Sequence, residues 1–146
     1  MALSLDYVAG FFDGEGCIVI HKGKLDNGRV TPRYDLIVSA YQCTRLVLDQ
    51  LKEQFGGNVY THSRSNRPAM RTSWSWKVSG QVAEKFLQQV YPRLVEKKDQ
   101  AWLGLEFMQQ KIGSHGTKVS DEQLALRHGF YLALQLAKGG THGSAA

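Results

Sequence analysis

The sequence has few of the residues that crosslink or interrupt a chain. It contains 2 cysteines and 3 prolines among 146 residues. Cys17 and Cys43 cannot form a disulfide framework, and neither belongs to a spacing typical of a zinc site. No apolar run approaches the roughly 18 residues that a membrane-spanning helix needs. A disulfide-rich secreted fold, a structural zinc domain and a membrane partner are therefore not expected.

Acidic residues are also in short supply. Asp and Glu number 13 against 18 Lys and Arg, which gives a net charge of +5. A basic chain favours a polyanionic partner, nucleic acid before a membrane face, although charge that serves only solubility remains an alternative. The sequence lacks a P-loop, G-x-S-x-G and H-E-x-x-H, so we expect no small-molecule cofactor. The apolar content of 42% is that of a globular protein.

Hydrophobic periodicity predicts an α+β fold with the order α-β-β-α-β-β-α and further helices after it. The predicted strands cover residues 17–22, 33–42, 58–64 and 70–78, and the predicted helices cover 3–14, 44–55, 79–91, 93–112 and 120–137. Turn signals join the strands at 26–28 and 65–68. We expect one four-stranded antiparallel sheet backed by helices. One domain would span residues 1–138, with a flexible tail at 139–146.

Alternation separates two faces of the predicted sheet. Tyr34, Leu36, Val38 and Ala40 are expected to face a core, and the residues between them to face outward. Trp74, Trp76 and Val78 alternate with three polar residues in the last strand. We expect the tryptophans, including Trp102, to be buried rather than to stack on bases.

The stretch Val8-Ala9-Gly10-Phe11-Phe12-Asp13-Gly14-Glu15-Gly16 has the most distinctive pattern. Gly10 and Gly14 lie one helical turn apart, which permits close approach of another backbone, although this spacing alone also fits an internal contact. Asp13 and Glu15 stand where the helix should end, and the helix dipole disfavours acidic groups there. A cation would relieve this cost, and Mg²⁺ prefers carboxylate and carbonyl oxygens.

These nine residues resemble the signature of the LAGLIDADG homing endonucleases, whose fold is α-β-β-α-β-β-α. The resemblance extends over residues 3–112 and includes one copy of the motif. Relatives with one copy act as homodimers, so the resemblance implies that two signature helices pack together. The implied interface residues are Tyr7, Gly10, Asp13 and Gly14.

The resemblance also implies site residues. Glu15 would be the catalytic carboxylate that ligates Mg²⁺, for which Mn²⁺ or Ca²⁺ can substitute, and the Gly14 carbonyl would be a further ligand. Gln42 matches a polar residue at the end of the second strand. Lys97 matches a basic residue before the long helix, with Lys98 as the second choice, and Arg45 could aid a phosphate network. A solvated lysine and a plain strand-end amide remain the alternatives for Lys97 and Gln42.

The outward positions and the turns form a candidate DNA-binding surface, because Lys and Arg supply affinity and polar side chains can read base edges. The alternative is an ordinary exposed sheet face. The candidate residues are His21, Lys22, Lys24, Arg29, Arg33, Asp35, Ile37, Ser39, Tyr41, Tyr60, His62, Arg64, Arg67, Arg71, Ser73, Ser75 and Lys77.

The resemblance implies a homodimeric, Mg²⁺-dependent endonuclease that cuts double-stranded DNA at a long, partly palindromic site, leaves 3′ overhangs and promotes intron homing. A non-catalytic intron RNA maturase or DNA-binding regulator on the same fold is the alternative, and a basic interaction protein is a third. The first residues lack the basic charge and apolar core of a leader. An intracellular location, in an organelle or in a prokaryotic cytoplasm, is expected.

Overall fold

The computed structural model describes residues 2–25, 31–63, 72–110 and 119–140. The helices are α1 (Leu5–Glu15), α2 (Leu46–Phe55), α3 (Gly80–Val90), α4 (Lys98–Gln110) and α5 (Asp121–Gln135), and the strands are β1 (Gly16–Lys22), β2 (Tyr34–Gln42), β3 (Asn58–His62) and β4 (Ser73–Ser79). A short 3₁₀ helix (Tyr91–Arg93) follows α3, and a π turn (Leu136–Gly140) follows α5. The predicted α+β class and order of elements are confirmed. The predicted turns at 26–28 and 65–68 lie outside the described residues.

The four strands form one antiparallel sheet in the order β1-β2-β4-β3. Each β-hairpin therefore places one strand at the edge and one in the centre. The register pairs Val38 with Ile18 on one side and with Val78 on the other. Because paired residues share a face, these three side chains define the inner face of the sheet, and the intervening residues define its outer face.

The inner face is the core of the protein. The four residues of β2 that were predicted to face inward are all buried, as are Trp76 and Phe86. The Trp76 ring packs edge-on against Phe86 with centroids 5.0 Å apart, and its Nε1 donates to the Gly56 carbonyl at 2.8 Å. The expectation for Trp102 is wrong, since this residue on α4 is 49% exposed.

Trp102 is exposed because the buried side of α4 is formed by other residues, namely Ala101, Gly104, Phe107 and Met108. Ala101 and Gly104 are buried, and a Cβ at Gly104 would lie 3.2 Å from Leu36 Cδ1. The sheet and α4 therefore approach closely at this point, and the bulky indole next to Ala101 falls on the other side.

Two helices begin with a serine cap. The Ser4 hydroxyl accepts from the Tyr7 amide at 3.1 Å and caps α1. Ser120 and Gln123 form a reciprocal capping box at the start of α5. Gly139, assigned to a flexible tail, belongs to the π turn, and residues 141–146 lie outside the described part of the chain.

Two boundaries differ from the prediction. Gly16 ends α1 in an extended conformation (φ −87°, ψ 167°), so it is not needed for its backbone freedom. It is needed for space, because a Cβ there would lie 2.3 Å from the buried Phe12 ring. The predicted helix 93–112 starts late: Leu94 is buried but extended (φ −74°, ψ 148°), and α4 begins at Lys98.

Within the described ranges, no helix has the length and apolar character required to cross a bilayer.

Candidate active site

One side of α1 packs on the core and the other meets solvent. Val8, Ala9 and Phe12 are buried. Tyr7 is 49% exposed, Gly10 is exposed too, and a Cβ added at Gly10 or Gly14 would meet nothing within 4 Å. The glycines therefore do not serve a close contact inside this chain. They leave a flat, open strip along the helix, which we call the glycine strip (Tyr7, Gly10 and Gly14).

The amino-terminal end of α1 is fixed by its own chain. The Gln54 side chain on α2 accepts from the Leu3 amide at 3.0 Å and donates to the Leu3 carbonyl at 3.1 Å. The Arg93 guanidinium donates to the Asp6 carboxylate at 2.9 Å. The part-buried Gln54 contacts hold this end of the helix on α2, whereas the Asp6–Arg93 pair is a surface ion pair that adds little.

The other end of α1 is joined to the segment before α4. The Asp13 carboxylate accepts from the Val95 amide at 2.8 Å and from the Lys97 amide at 3.1 Å. The Lys97 ammonium donates to the Asp13 carbonyl at 2.6 Å. The Lys97 carbonyl in turn accepts from the Ala101 amide at 2.8 Å, the bond that opens α4. We call this set of contacts the Asp13–Lys97 clip.

The clip changes the interpretation of Asp13. The sequence suggested that an acidic residue at the end of α1 requires a cation, but here two backbone N–H groups and the amino-terminal end of α4 supply the positive charge. Asp13, predicted at the dimer interface, is half-buried among groups of its own chain. Lys98 is directed elsewhere, with its ammonium 5.4 Å from the centroid of the Tyr91 ring.

Glu15 is the last residue of α1 and is exposed. The Gly14 carbonyl belongs to the last turn of the helix, whose carbonyls lack intrahelical partners. A carboxylate and a backbone carbonyl are both hard oxygen donors, so they fit Mg²⁺ by their chemistry. Lys97 reaches the same end of α1 through the Asp13 carbonyl. In the part of the chain that is described, no group of three or more His, Cys, Asp or Glu side chains could hold a metal.

Gln42 ends β2 at the same end of the sheet. Ala40 pairs with Gly16, so Gln42 extends past the start of β1 to the level at which α1 ends. Its Oε1 accepts from the Cys43 amide at 2.9 Å. Arg45 pairs with Asp49 at 3.1 Å. The structure therefore places Lys97 at the last turn of α1, the turn that contains Gly14 and Glu15, with Gln42 at the adjoining strand end.

The outer face of the sheet has most of the predicted contact residues. The register groups Ser39, Lys77 and Asn58 in one row and Tyr41, Ser75 and Tyr60 in the next. Asn58 was not among the predicted contact residues, although its spacing from Tyr60 and His62 identifies the same face. Other predicted residues on this face are His21, Asp35, Ile37, His62 and Ser73.

Three predictions for this surface need correction. Lys22 pairs with Tyr34 and so lies on the inner side of the sheet, beyond the end of the core. Ser39 and Ser75 lie on the outer face but are buried, at 5% and 0% exposure. The Ser75 hydroxyl is hydrogen-bonded to His62 Nε2 at 2.8 Å, and the His62 ring in turn lies beside Tyr41, with centroids 6.0 Å apart. Ser75 therefore supports its neighbours instead of presenting a hydroxyl to solvent.

The charges of this surface are partly paired. Arg33 is exposed and forms an ion pair with Asp35 at 3.0 Å. The Lys77 ammonium lies 5.9 Å from the centroid of the Tyr60 ring. Lys24 is exposed in the loop after β1. The predicted contacts Arg29, Arg64, Arg67 and Arg71 lie outside the described residues.

Solved structures of homing endonucleases share this fold. I-CvuI, in complex with its target in the presence of Ca²⁺, has a TM-score of 0.75 at 19% identity, with 91% of this chain and 80% of that chain covered. The archaeal intron-encoded I-Vdi141I, complexed with DNA, has a TM-score of 0.72 at 21% identity over 91% and 82% of the two chains. I-TnaI has a TM-score of 0.72 at 18% identity over 94% and 95%.

Of the two sequence comparisons, the one with family models agrees with the structural similarity. No match is found among curated proteins. The family model described as LAGLIDADG endonuclease matches residues 8–103, which include the nine-residue motif, all four strands and the Asp13–Lys97 clip. The chain therefore belongs to the LAGLIDADG endonuclease family.

Proposed function

We propose that this protein is a homodimeric endonuclease that cuts double-stranded DNA at a specific site with the help of Mg²⁺. The observation that carries the proposal is the glycine strip. It is the exposed side of a helix that its own chain fixes at both ends, and it leads directly to the exposed Glu15.

The dimer follows from the shape of the strip. A two-fold axis parallel to α1 would place the two helices side by side in the same direction, with Gly10 level with Gly10 of the partner chain and Gly14 level with Gly14. Without side chains at these positions the two backbones can approach closely, and the exposed Tyr7 rings can pack at the rim. The same axis would bring the two Glu15 carboxylates together at the ends of the helices.

Each chain would contribute the Glu15 carboxylate and the Gly14 carbonyl as Mg²⁺ ligands. Bound Mg²⁺ supplies Lewis-acid stabilisation of the phosphate and lowers the pKa of water. The two Glu15 carboxylates would repel each other, and cations bound between them would offset a repulsion that would otherwise weaken the dimer. The identical chains would act on one strand each.

Lys97 and Gln42 would act on the DNA side of the same region. The Lys97 ammonium has donors beyond the one given to the Asp13 carbonyl, and they can stabilise the charge of a phosphate. The half-buried Gln42 amide can orient a water molecule at the strand end. Affinity and specificity would come from the outer face, where Lys77 and Arg33 contact phosphates and Tyr41, Tyr60 and Asn58 meet base edges.

The test compares Glu15→Gln with the wild-type chain. A randomised duplex pool incubated with Mg²⁺ identifies the cleaved sites, and the selected duplex is then used for binding and cleavage. The variant is expected to bind this duplex with wild-type affinity and the same salt dependence, and to lose cleavage, because a neutral amide binds Mg²⁺ far more weakly than a charged carboxylate does. Glu53→Gln, an exposed glutamate on α2, is the matched control and is expected to cut normally.

Three results would contradict the proposal. Cleavage by Glu15→Gln at the wild-type rate would remove Glu15 from the reaction. Binding by the wild-type chain without any cleavage in Mg²⁺ would support a non-catalytic binder. Cleaved sites without two-fold character would contradict the symmetric arrangement of two chains.

A further inference from the structure

The Asp13–Lys97 clip joins two parts of the chain that are 84 residues apart in sequence. Asp13 is the acceptor in all three hydrogen bonds: its side chain accepts from two backbone amides, and its backbone carbonyl accepts from the Lys97 side chain. Both the backbone and the ammonium of Lys97 are therefore held against the last turn of α1.

The segment that contains Lys97 has few other means of keeping its position. Residues between the 3₁₀ helix and α4 are not helical, and Val95 is 79% exposed. Leu94 is the buried anchor on one side, and the Lys97 carbonyl opens α4 on the other. Between these points, the Asp13 carboxylate accepts two of the amide hydrogens.

A lysine has four rotatable side-chain bonds, and fixing its ammonium in one place costs rotamer entropy. Here the cost is reduced, because the backbone of Lys97 is fixed by a charged acceptor and the ammonium has a carbonyl acceptor within 2.6 Å. Both oxygens of the Asp13 carboxylate accept hydrogen bonds from backbone amides. Glu15 is the other carboxylate of the motif, and it is exposed.

We propose that Asp13 is a positioning residue for Lys97: it holds the backbone and the ammonium of Lys97 at the end of α1, and it acts on DNA cleavage only through Lys97. This proposal rests on the proposed nuclease function. In this arrangement Asp13 would touch neither metal nor DNA, in contrast to the exposed Glu15 two residues further along the motif.

The experiment is a double-mutant cycle on single-turnover cleavage at saturating DNA and protein, with Asp13→Ala, Lys97→Ala and the double variant. Lys97→Ala is expected to lower the rate constant about 100-fold and Asp13→Ala about 10-fold, since a misplaced group retains part of its effect. The double variant should equal Lys97→Ala. Asp6→Ala is the matched control: Asp6 lies on the same helix and pairs with Arg93, but at the other end, so its effect should be small and independent of Lys97.

Amide hydrogen exchange supplies a readout that does not depend on cleavage. Protection of the Val95 and Lys97 amides should fall in Asp13→Ala and persist in Asp6→Ala. Asp13→Asn keeps one carbonyl acceptor and should show intermediate protection and an intermediate rate, and it takes the place of Asp13→Ala if that chain does not fold.

Two outcomes would overturn the proposal. A double variant slower than Lys97→Ala by the full Asp13→Ala factor would show that Asp13 acts independently, and unchanged protection at both amides would show that the clip does not hold the segment. If the wild-type chain itself cuts no selected duplex, the proposed function fails. The exchange measurement still shows whether Asp13 holds the segment that contains Lys97.

Discussion

Replacing Gly10 by leucine tests the glycine strip, because the single chain and the proposed dimer should respond in opposite directions. In the single chain a Cβ at Gly10 meets nothing within 4 Å, so the new side chain enters open space. Glycine inside a helix is less stable than a good helix former by about 0.5–1 kcal/mol, and we expect the free energy of unfolding of the isolated chain to rise by that amount.

In the dimer the same side chain would stand between two backbones. Overpacking a close contact costs about 1–3 kcal/mol, and the two-fold axis introduces the substitution twice. The dimer is then weakened by about 2–6 kcal/mol, which raises its dissociation constant about 30-fold or more. Gly129→Leu is the matched control, since Gly129 is also an exposed glycine inside a helix, α5, with nothing within 4 Å of its Cβ position.

Sedimentation equilibrium over a series of concentrations gives the dissociation constants, and urea unfolding at low protein concentration gives the stability of the chain. The expected pattern is weaker association for Gly10→Leu alone and equal or higher stability for both variants. Wild-type association by Gly10→Leu would refute the assignment of the strip as an interface. Loss of stability in the isolated chain would refute the reasoning from open space.

Two further predictions concern stability. Gly16→Ala should lower the free energy of unfolding by about 1–3 kcal/mol, because the added Cβ collides with the buried Phe12 ring and with the Phe12 carbonyl; a variant as stable as the wild type in urea would contradict the packing argument. Burial, and to a smaller extent the charge of Tyr131, raises the pKa of the Tyr34 hydroxyl above 10, and this hydroxyl is hydrogen-bonded to His128 Nδ1 at 2.8 Å. A raised pKa means that the stability associated with the protonated hydroxyl is present below pH 10 and is lost as pH rises above it. Tyr34→Phe should be less stable than the wild type by about 0.5–1.5 kcal/mol below pH 10, and the difference should shrink at higher pH; a constant difference in urea unfolding would exclude a contribution from this titration.

The sequence predicted best where the cause of a structure is local. The alternation in β2 identified the buried Tyr34, Leu36, Val38 and Ala40, because neighbouring residues of a strand point to opposite sides whatever the rest of the chain does. The capping box at Ser120 was visible for the same reason.

The predictions failed where contacts with residues distant in sequence determine the structure. The apolar pattern of residues 93–112 reads as one helix, but Asp13 binds the Val95 amide from 82 residues away and keeps this segment out of the helix. Trp102 was expected to be buried with the other tryptophans, yet the inward side of α4 is formed by Ala101, Gly104, Phe107 and Met108. Ser75 was assigned correctly to the outer face, but its burial depends on the ring of His62, which comes from the neighbouring strand.

The alternation in the sheet has a consequence for how recognition can change over evolution. An outward position such as Ile37 or Lys77 lies between inward neighbours that are already packed, so a new side chain there alters the surface without disturbing the interior. Ser39 and Ser75 lack this freedom, because each is enclosed and a larger residue would have to displace its neighbours. Substitutions at the outward positions can therefore change which DNA sequence is preferred, one residue at a time, while the two serines stay small.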